Sequence, residues 1–453
     1  MLRCDVVHPT SDSTRSAPTP TLSHWDAVGI IVGIVVGIGI FRLPSLVAAN
    51  VDTGALFLAL WVAGGVVSLM GALVYAELAS SFPNAGGEYY FLTRAYGRSI
   101  AFLFAWARMT VMQTGAIALV AFVFGDFASE LVSLGPYSSS IYAAAAVLLL
   151  TALNVFGSWQ GAWTQNVLTA LIVMGLLAAV GAGLSVPAQA AVTETSGTGS
   201  VVGAAMIFIL LTYGGWNEAA YLSGEVRDPR RNMVRALLMG IGLITGLYLL
   251  VNYAYLRVLG LEGIRTSQAV GADLLRATIG DAGATFLSLV VCIAALSTLN
   301  ATIFTGARTN YALGRDFTIF RYLGRWKTRG ETPANALLVQ GGIALTLVVF
   351  GSAGGRTGVQ EMVDYTAPVF WFFFLLAGAS LFLLRRQAPD APDPFRVPLY
   401  PVIPLLFCSA CGYMLYSALA FTGRWAAVGI AVVVAGVPLL LAGRSSGAPR
   451  RQP

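Results

Sequence analysis

Long apolar runs follow one another along almost the whole chain, and no other feature limits its fold as strongly. An α-helix needs about 20 predominantly apolar residues to cross the hydrocarbon core of a bilayer. Runs of that length begin near residue 27 and recur as far as residue 443. Hydrophobic residues make up 57% of the 453 residues and charged residues only 11%, which leaves no room for a soluble domain. The sequence therefore predicts an all-α polytopic membrane protein with about 12 transmembrane helices.

We place the predicted spans between charged residues or Pro/Gly breaks. They cover residues 27–49, 55–80, 99–125, 138–156, 162–186, 201–223, 234–257, 282–312, 334–352, 362–384, 400–421 and 425–443. Residues 1–22 are rich in Ser, Thr and Pro and lack the apolar core of a signal peptide, so we expect a disordered tail there. Residues 444–453 are the second predicted tail.

Basic residues are distributed unequally between the segments that join the spans. Of the 27 Lys and Arg residues, 19 fall in the two tails and one set of alternating loops, and 5 fall in the other set. Short loops rich in Lys and Arg stay on the cytoplasmic side of a membrane. The bias therefore predicts that both termini are cytoplasmic. It also accounts for the net charge of +6 without a nucleic-acid partner.

Two glycines, Gly37 and Gly39, interrupt the first predicted span. An interrupted helix at membrane depth is tolerated only where it lines a cavity or is buried in protein. The N–H groups that start the second half-helix would attract an anion, and the carbonyl groups that end the first half would attract a cation. A zwitterion suits both ends. The alternative is that the glycines only allow close packing of helices.

A second interruption lies in the sixth predicted span, where Gly214 and Gly215 stand among polar residues. The two breaks occupy corresponding positions in two five-span halves, whose topologies must be inverted. Paired interruptions of this kind indicate the central site of a transporter. The predicted organisation is a first repeat over residues 23–190, an inverted second repeat over residues 200–386, and two further helices over residues 398–443.

Motifs near both breaks resemble those of the amino acid–polyamine–organocation (APC) superfamily of secondary transporters, and within it the bacterial and L-type amino acid permeases. Gly-x-Gly-Ile-Phe occurs at residues 37–41, Pro-x-x-Gly-Gly-x-Tyr at residues 83–89, and Tyr-Gly-Gly-Trp-Asn at residues 213–217. A Glu-x-x-x-Pro-x-Arg-Asn continuation follows at residues 225–232. These motifs stand in the family's order, and the resemblance covers nearly the whole chain.

The resemblance implies a LeuT-like fold, with a five-plus-five inverted repeat, discontinuous helices 1 and 6, and alternating access. It also implies that an amino acid is held between the unwound parts of these two helices. Carried over by position, the substrate-binding residues are Val35, Gly37, Ile38 and Gly39 from the first span, and Leu211, Tyr213, Gly214 and Asn217 from the sixth.

Three positions depart from the family's pattern. Ile38 stands where many relatives have a serine, so backbone amides must hold more of the substrate carboxylate and small substrates are favoured. Leu211 stands where L-type carriers place an aromatic gate, with Phe208 one turn away. The fifth span has no lysine, since the only Lys of the chain, Lys327, lies in a predicted loop. The sequence therefore excludes a fifth-span lysine as a proton switch.

Ionisable and hydroxyl groups inside spans are candidates for coupling or gating. Glu218 has three interpretations: it takes a proton, contacts a substrate ammonium, or bonds freed backbone amides. Arg108 is either structural or a gate partner. Ser297 and Thr298 offer oxygens for a sodium ion, although hydroxyls bonded to helix carbonyls explain them equally well. Arg42 requires an acidic partner, because an unpaired buried charge is strongly disfavoured.

Three further features complete the prediction. Glu77 ends the second span and is expected to pair with a loop arginine. The segment after it is expected to form a short amphipathic helix at the membrane interface. The pair Cys408 and Cys411 lacks a neighbouring His or a second Cys pair, so we predict neither a metal nor a cofactor.

The predicted function is a secondary transporter of the cytoplasmic membrane, with no enzymatic step, that moves small neutral amino acids by uniport, exchange or proton symport. Its expected partners are the amino acid and the lipid bilayer, and the sequence identifies no partner subunit. The alternatives are an exchanger of cationic amino acids or polyamines, and a membrane sensor or accessory protein that transports nothing.

Overall fold

The computed structural model describes residues 25, 28, 31–32, 35–82, 87–156, 162–187, 200–217, 229–326, 332–353, 357–387, 395–421 and 423–445. The regular elements formed by these residues are helices. Nine helices of this described part are long and apolar enough to cross a membrane, as judged by length and composition. The predicted all-α, polytopic fold is confirmed.

In the first half, the described residues before the first break are helical up to Val35, and a short 3-10 turn follows at Ile38–Phe41. The numbered helices come after this turn. They are α1 (Pro44–Ala48), α2 (Gly54–Ser81), α3 (Glu88–Tyr96), α4 (Arg98–Leu131), α5 (Ser138–Phe156) and α6 (Ala162–Ser185). Helix α4 contains one π-helical turn, at Arg108–Met112. Thr53 caps α2, because its side chain accepts a hydrogen bond of 3.2 Å from the N–H of Leu56.

In chain order, the helices of the second half are α7 (Val202–Thr212), α8 (Pro229–Thr266), α9 (Val270–Ile279), α10 (Asp281–Asp316), α11 (Ala334–Ser352) and α12 (Gly358–Leu384). Three more follow: α13 (Val402–Phe421), α14 (Arg424–Val434) and α15 (Gly436–Ser445). Most bounds lie within a few residues of the predicted spans. Helix α9 was not predicted, and α8 runs past its predicted end to a bend at Gly260, which has φ 66°.

Consecutive spans run in opposite directions, which defines two ends of the bundle. The C-terminus of α2 and the N-terminus of α4 lie at one end, which we call the Glu77 end. The C-terminus of α4 lies at the other, which we call the Asp126 end. The start of α7 also lies at the Asp126 end, because the N–H of Val201 donates to the carbonyl of Asn50, 2.9 Å away. The first and sixth segments therefore run antiparallel to each other.

Glu77 joins three parts of the chain at its own end of the bundle. One carboxylate oxygen accepts a hydrogen bond of 2.6 Å from the N–H of Val397. The other lies 3.2 Å from Nε of Arg385 and 3.5 Å from a guanidinium nitrogen of Arg396. The predicted pairing of Glu77 with a loop arginine is confirmed. It fixes the segment that precedes α13 to the ends of α2 and α12.

Arg42 finds its acidic partner at the opposite end. Its Nε lies 2.8 Å from a carboxylate oxygen of Asp126 on α4, and its side chain is 1% exposed. A guanidinium nitrogen donates to the hydroxyl of Ser45, 2.6 Å away, and Ser139 donates to Asp126 at 2.6 Å. A buried pair stabilises a structure only when such extra hydrogen bonds satisfy its remaining atoms. This pair ties α1, directly after the first break, to α4 and α5.

Candidate functional site

The first predicted break is present in the structure. The helix of the first segment ends at Val35, and Gly37 is extended, with φ −119° and ψ −174°. The 3-10 turn Ile38–Phe41 follows, and α1 starts at Pro44, whose fixed φ and missing N–H suit the first position of a helix. The first span is therefore two half-helices joined by an unwound segment.

The second predicted break is also present. Helix α7 ends at Thr212, residues 213–215 form a turn, and helical structure resumes at Trp216 and Asn217. Gly215 has φ 104°, a conformation that side-chain-bearing residues rarely adopt, so a glycine is required at that position. The break is thus encoded locally by the Gly214-Gly215 pair.

Tyr248 on α8 joins the two breaks. Its hydroxyl lies 3.2 Å from the carbonyl oxygen of Val35 and 3.3 Å from that of Thr212. These two carbonyls end the half-helices that precede the breaks. The ring is fully buried and packs against Trp61 and Tyr213, at centroid distances of 5.8 and 5.1 Å. One phenol therefore satisfies carbonyls from both interrupted segments, as burial of unwound backbone demands.

A cavity of about 340 Å³ lies between the breaks and the helices that face them. This volume is near the low end of the range of about 300–1,000 Å³ that small-molecule pockets occupy. Most of the wall is apolar, and its residues come from both broken segments and from α3, α4, α10 and α12. The cavity is thus enclosed by the elements that the predicted inverted repeat brings to the centre.

Most of the predicted site residues line this cavity. They are Val35, Gly37, Ile38, Gly39, Leu211, Gly214 and Asn217 among the predicted substrate ligands, and Arg108 and Thr298 among the predicted coupling or gating residues. That they contact a substrate remains a prediction. Glu218 lies outside the described residues.

Three predicted residues do not line the cavity. The ring of Tyr213 is fully buried behind the break, because its hydroxyl donates a 3.0 Å hydrogen bond to the carbonyl of Trp61 on α2. Phe208 is buried and lines a separate pocket of about 80 Å³ together with Asp364. Ser297 directly precedes Thr298 on α10 and is not part of the cavity wall.

Two threonine hydroxyls of α10, those of Thr298 and Thr302, are hydrogen-bonded to carbonyls of their own helix. Thr298 donates to the carbonyl of Ala294 at 3.0 Å, and Thr302 donates to the carbonyl of Thr298 at 2.7 Å. Both are bonds to the preceding turn of the same helix, which threonines commonly make inside helices.

The π-helical turn of α4 brings Arg108 to the cavity. The N–H of Gln113 reaches back five residues to the carbonyl of Arg108. The carbonyl of Thr110 accepts hydrogen bonds from the hydroxyls of Tyr365 on α12, at 2.9 Å, and of Thr114, at 2.8 Å. Single π-turns inside α-helices are frequent at functional sites. Arg108, Met112 and Gln113 all line the cavity at or beside this turn.

Glu88 is a cavity residue that sequence reasoning missed. The helix it begins, α3, is short, as predicted, and it buries Glu88, Phe91 and Leu92 and packs against α12. Its position at the membrane interface remains a prediction. One carboxylate oxygen of Glu88 accepts a 2.9 Å hydrogen bond from the hydroxyl of Tyr75, and the other lies 3.6 Å from Arg108. The sequence signal that could have identified it is the position of Glu88, an acidic residue at the start of an amphipathic helix.

Aromatic rings close the cavity toward the Glu77 end. Phe370 and Phe374 stack at a centroid distance of 4.1 Å, and both line the cavity with Trp371. Trp216, directly after the second break, packs edge-on against Phe374 at 5.4 Å and against Tyr75 at 5.4 Å. The cluster connects the second half of the sixth segment to α2 and α12.

The polar backbone at the breaks can bind the two ends of a zwitterion. The first N–H groups of a helical turn have no partner within it, so the amides of Ile38 and Gly39 suit a carboxylate. The C-terminus of α7 carries the negative end of the helix dipole, which suits an ammonium group. Both chain segments line the same cavity through Gly39 and Leu211. The arrangement fits a small zwitterion between the breaks.

Comparison with known proteins shows similarity to amino acid permeases. A family model described as amino acid permease matches residues 22–439. The b(0,+)-type amino acid transporter 1 of Mus musculus is 32% identical over 416 residues, 87% of this chain and 83% of the relative. The serine/threonine exchanger SteT of Bacillus subtilis (strain 168) is 25% identical over 421 residues, 91% of this chain and 94% of the relative. The large neutral amino acids transporter small subunit 2 of Mus musculus is 27% identical over 461 residues, 96% of this chain and 85% of the relative.

Proposed function

The chain belongs to the amino acid permease family, as the match over residues 22–439 shows, and on this premise we propose that it exchanges small neutral amino acids. Amino acid transport and a multi-pass membrane location follow from the family and from the apolar helices. The observation that carries the finer proposal is the small, mostly apolar cavity lined by both broken segments.

In this proposal the breaks hold the backbone of the amino acid and the cavity wall holds its side chain. The carboxylate binds at the amides of Ile38 and Gly39, and the amino group binds near the carbonyl end of α7. The side chain of Ile38 is part of the wall and offers no hydroxyl to the carboxylate. Its volume also reduces the space next to Gly39, which favours small substrates.

Transport itself requires no covalent chemistry. The two repeats, residues 23–190 and 200–386, alternately open the cavity to either side of the membrane, as inverted-repeat transporters do. Exchange is the mode we favour, because one relative of nearly the same length is named a serine/threonine exchanger. In the proposed orientation both termini are cytoplasmic and the Glu77 end faces the cytoplasm.

The orientation has its own test. A fluorescent protein fused after residue 453 should fold and fluoresce in the cytoplasm, while alkaline phosphatase fused at the same place should stay inactive. Active phosphatase at that position would place the C-terminus outside and overturn the orientation without affecting the cavity.

The proposed function is tested by counterflow in proteoliposomes. Vesicles loaded with unlabelled amino acid should accumulate radiolabelled alanine, serine or threonine, and empty vesicles should not. A panel that also contains leucine, arginine and glutamate, with imposed sodium and proton gradients, identifies the substrate class and the coupling ion. Preferred uptake of arginine would support the cationic alternative, and failure to move any amino acid would refute the proposal.

A further inference from the structure

Two charged side chains, Glu88 and Arg108, stand in the otherwise mostly apolar wall of the cavity. Among the described residues that line it, they are the ones that carry a formal charge. They lie on α3 and α4, so neither belongs to a broken segment. The breaks suffice for the backbone of an amino acid, and the charged pair is left to act on its side chain.

Glu88 is held in place by the protein. The hydroxyl of Tyr75 donates to one of its oxygens at 2.9 Å, and the tyrosine ring packs against Trp216 and Phe374 at 5.4 and 5.6 Å. The side chain of Glu88 is only 5% exposed. It is therefore a fixed negative charge at the edge of the cavity.

Arg108 is held more loosely. Its closest approach to Glu88 is 3.6 Å, too long for a hydrogen bond, and its side chain is 28% exposed. Its Nε is buried and has no hydrogen-bond partner within the described part of the chain. A guanidinium carries five N–H donors and no acceptor. Arg108 thus offers donors to an acceptor group that enters the cavity.

The other polar groups of the wall mostly use their hydrogens within the protein. The hydroxyls of Thr212, Thr298 and Thr366 donate to carbonyls of their own helices, at 2.8, 3.0 and 2.9 Å. Gln113 donates through Nε2 to the carbonyl of Thr302 at 2.9 Å. Arg108 is therefore the cationic donor in the wall that a side chain ending in an oxygen can reach.

The summed charge of Glu88 and Arg108 decides whether a carboxylate or a carboxamide oxygen is preferred. Together, Arg108 and Glu88 are neutral. A side-chain carboxylate would bring a second negative charge beside Glu88, whereas a carboxamide brings an acceptor without charge. We propose that this pair selects amino acids with a carboxamide side chain, asparagine or glutamine, and rejects aspartate and glutamate. The inference rests on the proposed transport of neutral amino acids through the same cavity.

The wild-type protein gives the first test. Asparagine, aspartate and leucine have similar shapes and differ in side-chain charge and polarity, as do glutamine, glutamate and methionine. In proteoliposome uptake with one labelled member of each set and the others as competitors, the carboxamide should be preferred over its two analogues by about tenfold, as expected for a hydrogen bond to a charged group. A wild type that prefers leucine or aspartate over asparagine overturns the inference.

Two substitutions separate the roles of the pair. Glu88→Gln leaves the charge of Arg108 uncompensated, so the aspartate-to-asparagine uptake ratio should rise about tenfold. Arg108→Gln should lower the asparagine-to-leucine ratio about tenfold, and Arg108→Lys should retain part of the preference. Ratios within one variant do not depend on how much protein inserts. The matched controls are Glu262→Gln and Arg308→Gln, which lie outside the cavity and should leave both ratios unchanged.

The outcomes distinguish this inference from the proposed function. If no amino acid is moved by the wild type, the proposed function fails and this inference fails with it. If serine, threonine or leucine is exchanged but the carboxamides have no advantage, the function stands and the inference is wrong. If a variant fails to insert, the wild-type ratios and the remaining variant decide, and a ratio that stays unchanged in Glu88→Gln contradicts the inference.

Discussion

The hydroxyl of Tyr248 is predicted to stabilise both helix breaks, and Tyr248→Phe removes that one atom. The ring that remains keeps its packing against Trp61 and Tyr213, since phenylalanine has the same shape. What is lost are the contacts of 3.2 Å to the carbonyl of Val35 and 3.3 Å to that of Thr212. The substitution therefore tests hydrogen bonding at the breaks separately from the packing around them.

The expected magnitude follows from how many bonds one proton can make. The phenol donates to one carbonyl at a time, so the loss is one shared bond and not two. Leaving a buried acceptor unpaired costs about 1–3 kcal/mol, and the long distances place this bond in the lower part of that range. We therefore expect the free energy of unfolding to fall by about 1–2 kcal/mol, a change of about 5- to 30-fold in the folded-to-unfolded ratio.

The assay compares unfolding midpoints in detergent, together with uptake kinetics in proteoliposomes. The matched control is Tyr253→Phe, on the same helix, because Tyr253 is 45% exposed and has no hydrogen bond described for its hydroxyl. Tyr248→Phe should lower the unfolding midpoint. It should also raise the apparent KM, because Val35 and Thr212, whose carbonyls the hydroxyl contacts, line the cavity. Tyr253→Phe should change neither quantity. Equal behaviour of the two variants would refute the assigned role of Tyr248.

Three further substitutions test the first break, the buried ion pair and the position of Tyr213. Gly39→Val should abolish uptake without preventing insertion, because its methyl groups enter the space between the breaks, whereas Gly342→Val should transport normally, since a Cβ there meets no atom within 4 Å; equal uptake by both would contradict the site. Asp126→Asn should destabilise the protein by about 3–5 kcal/mol, measured as the unfolding midpoint, because Arg42 is then left buried without its counter-charge; an unchanged midpoint would show that the pair is not needed. Tyr213→Phe should cost about 1 kcal/mol but leave the order of substrate preference unchanged, because its hydroxyl bonds to α2 and not to the cavity; a changed order in the competition assay would return Tyr213 to the site.

The breaks were predictable because glycine acts locally. Gly37, Gly39 and the Gly214-Gly215 pair stand inside apolar runs, where each unwound residue must be accounted for by a cavity or a partner. The family motifs then fix which spans they interrupt. Because unwound backbone in a membrane must face a cavity or a partner, most residues adjoining the breaks line the cavity.

Side-chain direction was not predictable at the same positions. Tyr213 lies within a break, yet its ring turns toward α2, because a buried hydroxyl needs an acceptor and the carbonyl of Trp61 lies there. A single position on an irregular segment has no periodicity that would reveal this direction. Phe208 lies one turn along α7 from Leu211, yet it lines the smaller pocket and not the cavity, because α7 packs between the two pockets.

Long-range partners were beyond the sequence as well. The need of Arg42 for an acid was predictable from the cost of a buried charge, but Asp126 is 84 positions away and nothing local selects it over other acidic residues. Tyr248 lies 213 positions from the carbonyl of Val35. Such pairs arise from the packing of whole helices, and one sequence does not specify them.

The most direct test of the central claim is a cryo-electron microscopy structure determined with a transported amino acid at saturating concentration. We expect density for one amino acid between the breaks, with its carboxylate at the amides of Ile38 and Gly39 and its side chain toward α4. Ligand density outside this cavity, or continuous helices through residues 35–41 and 212–216, would contradict it.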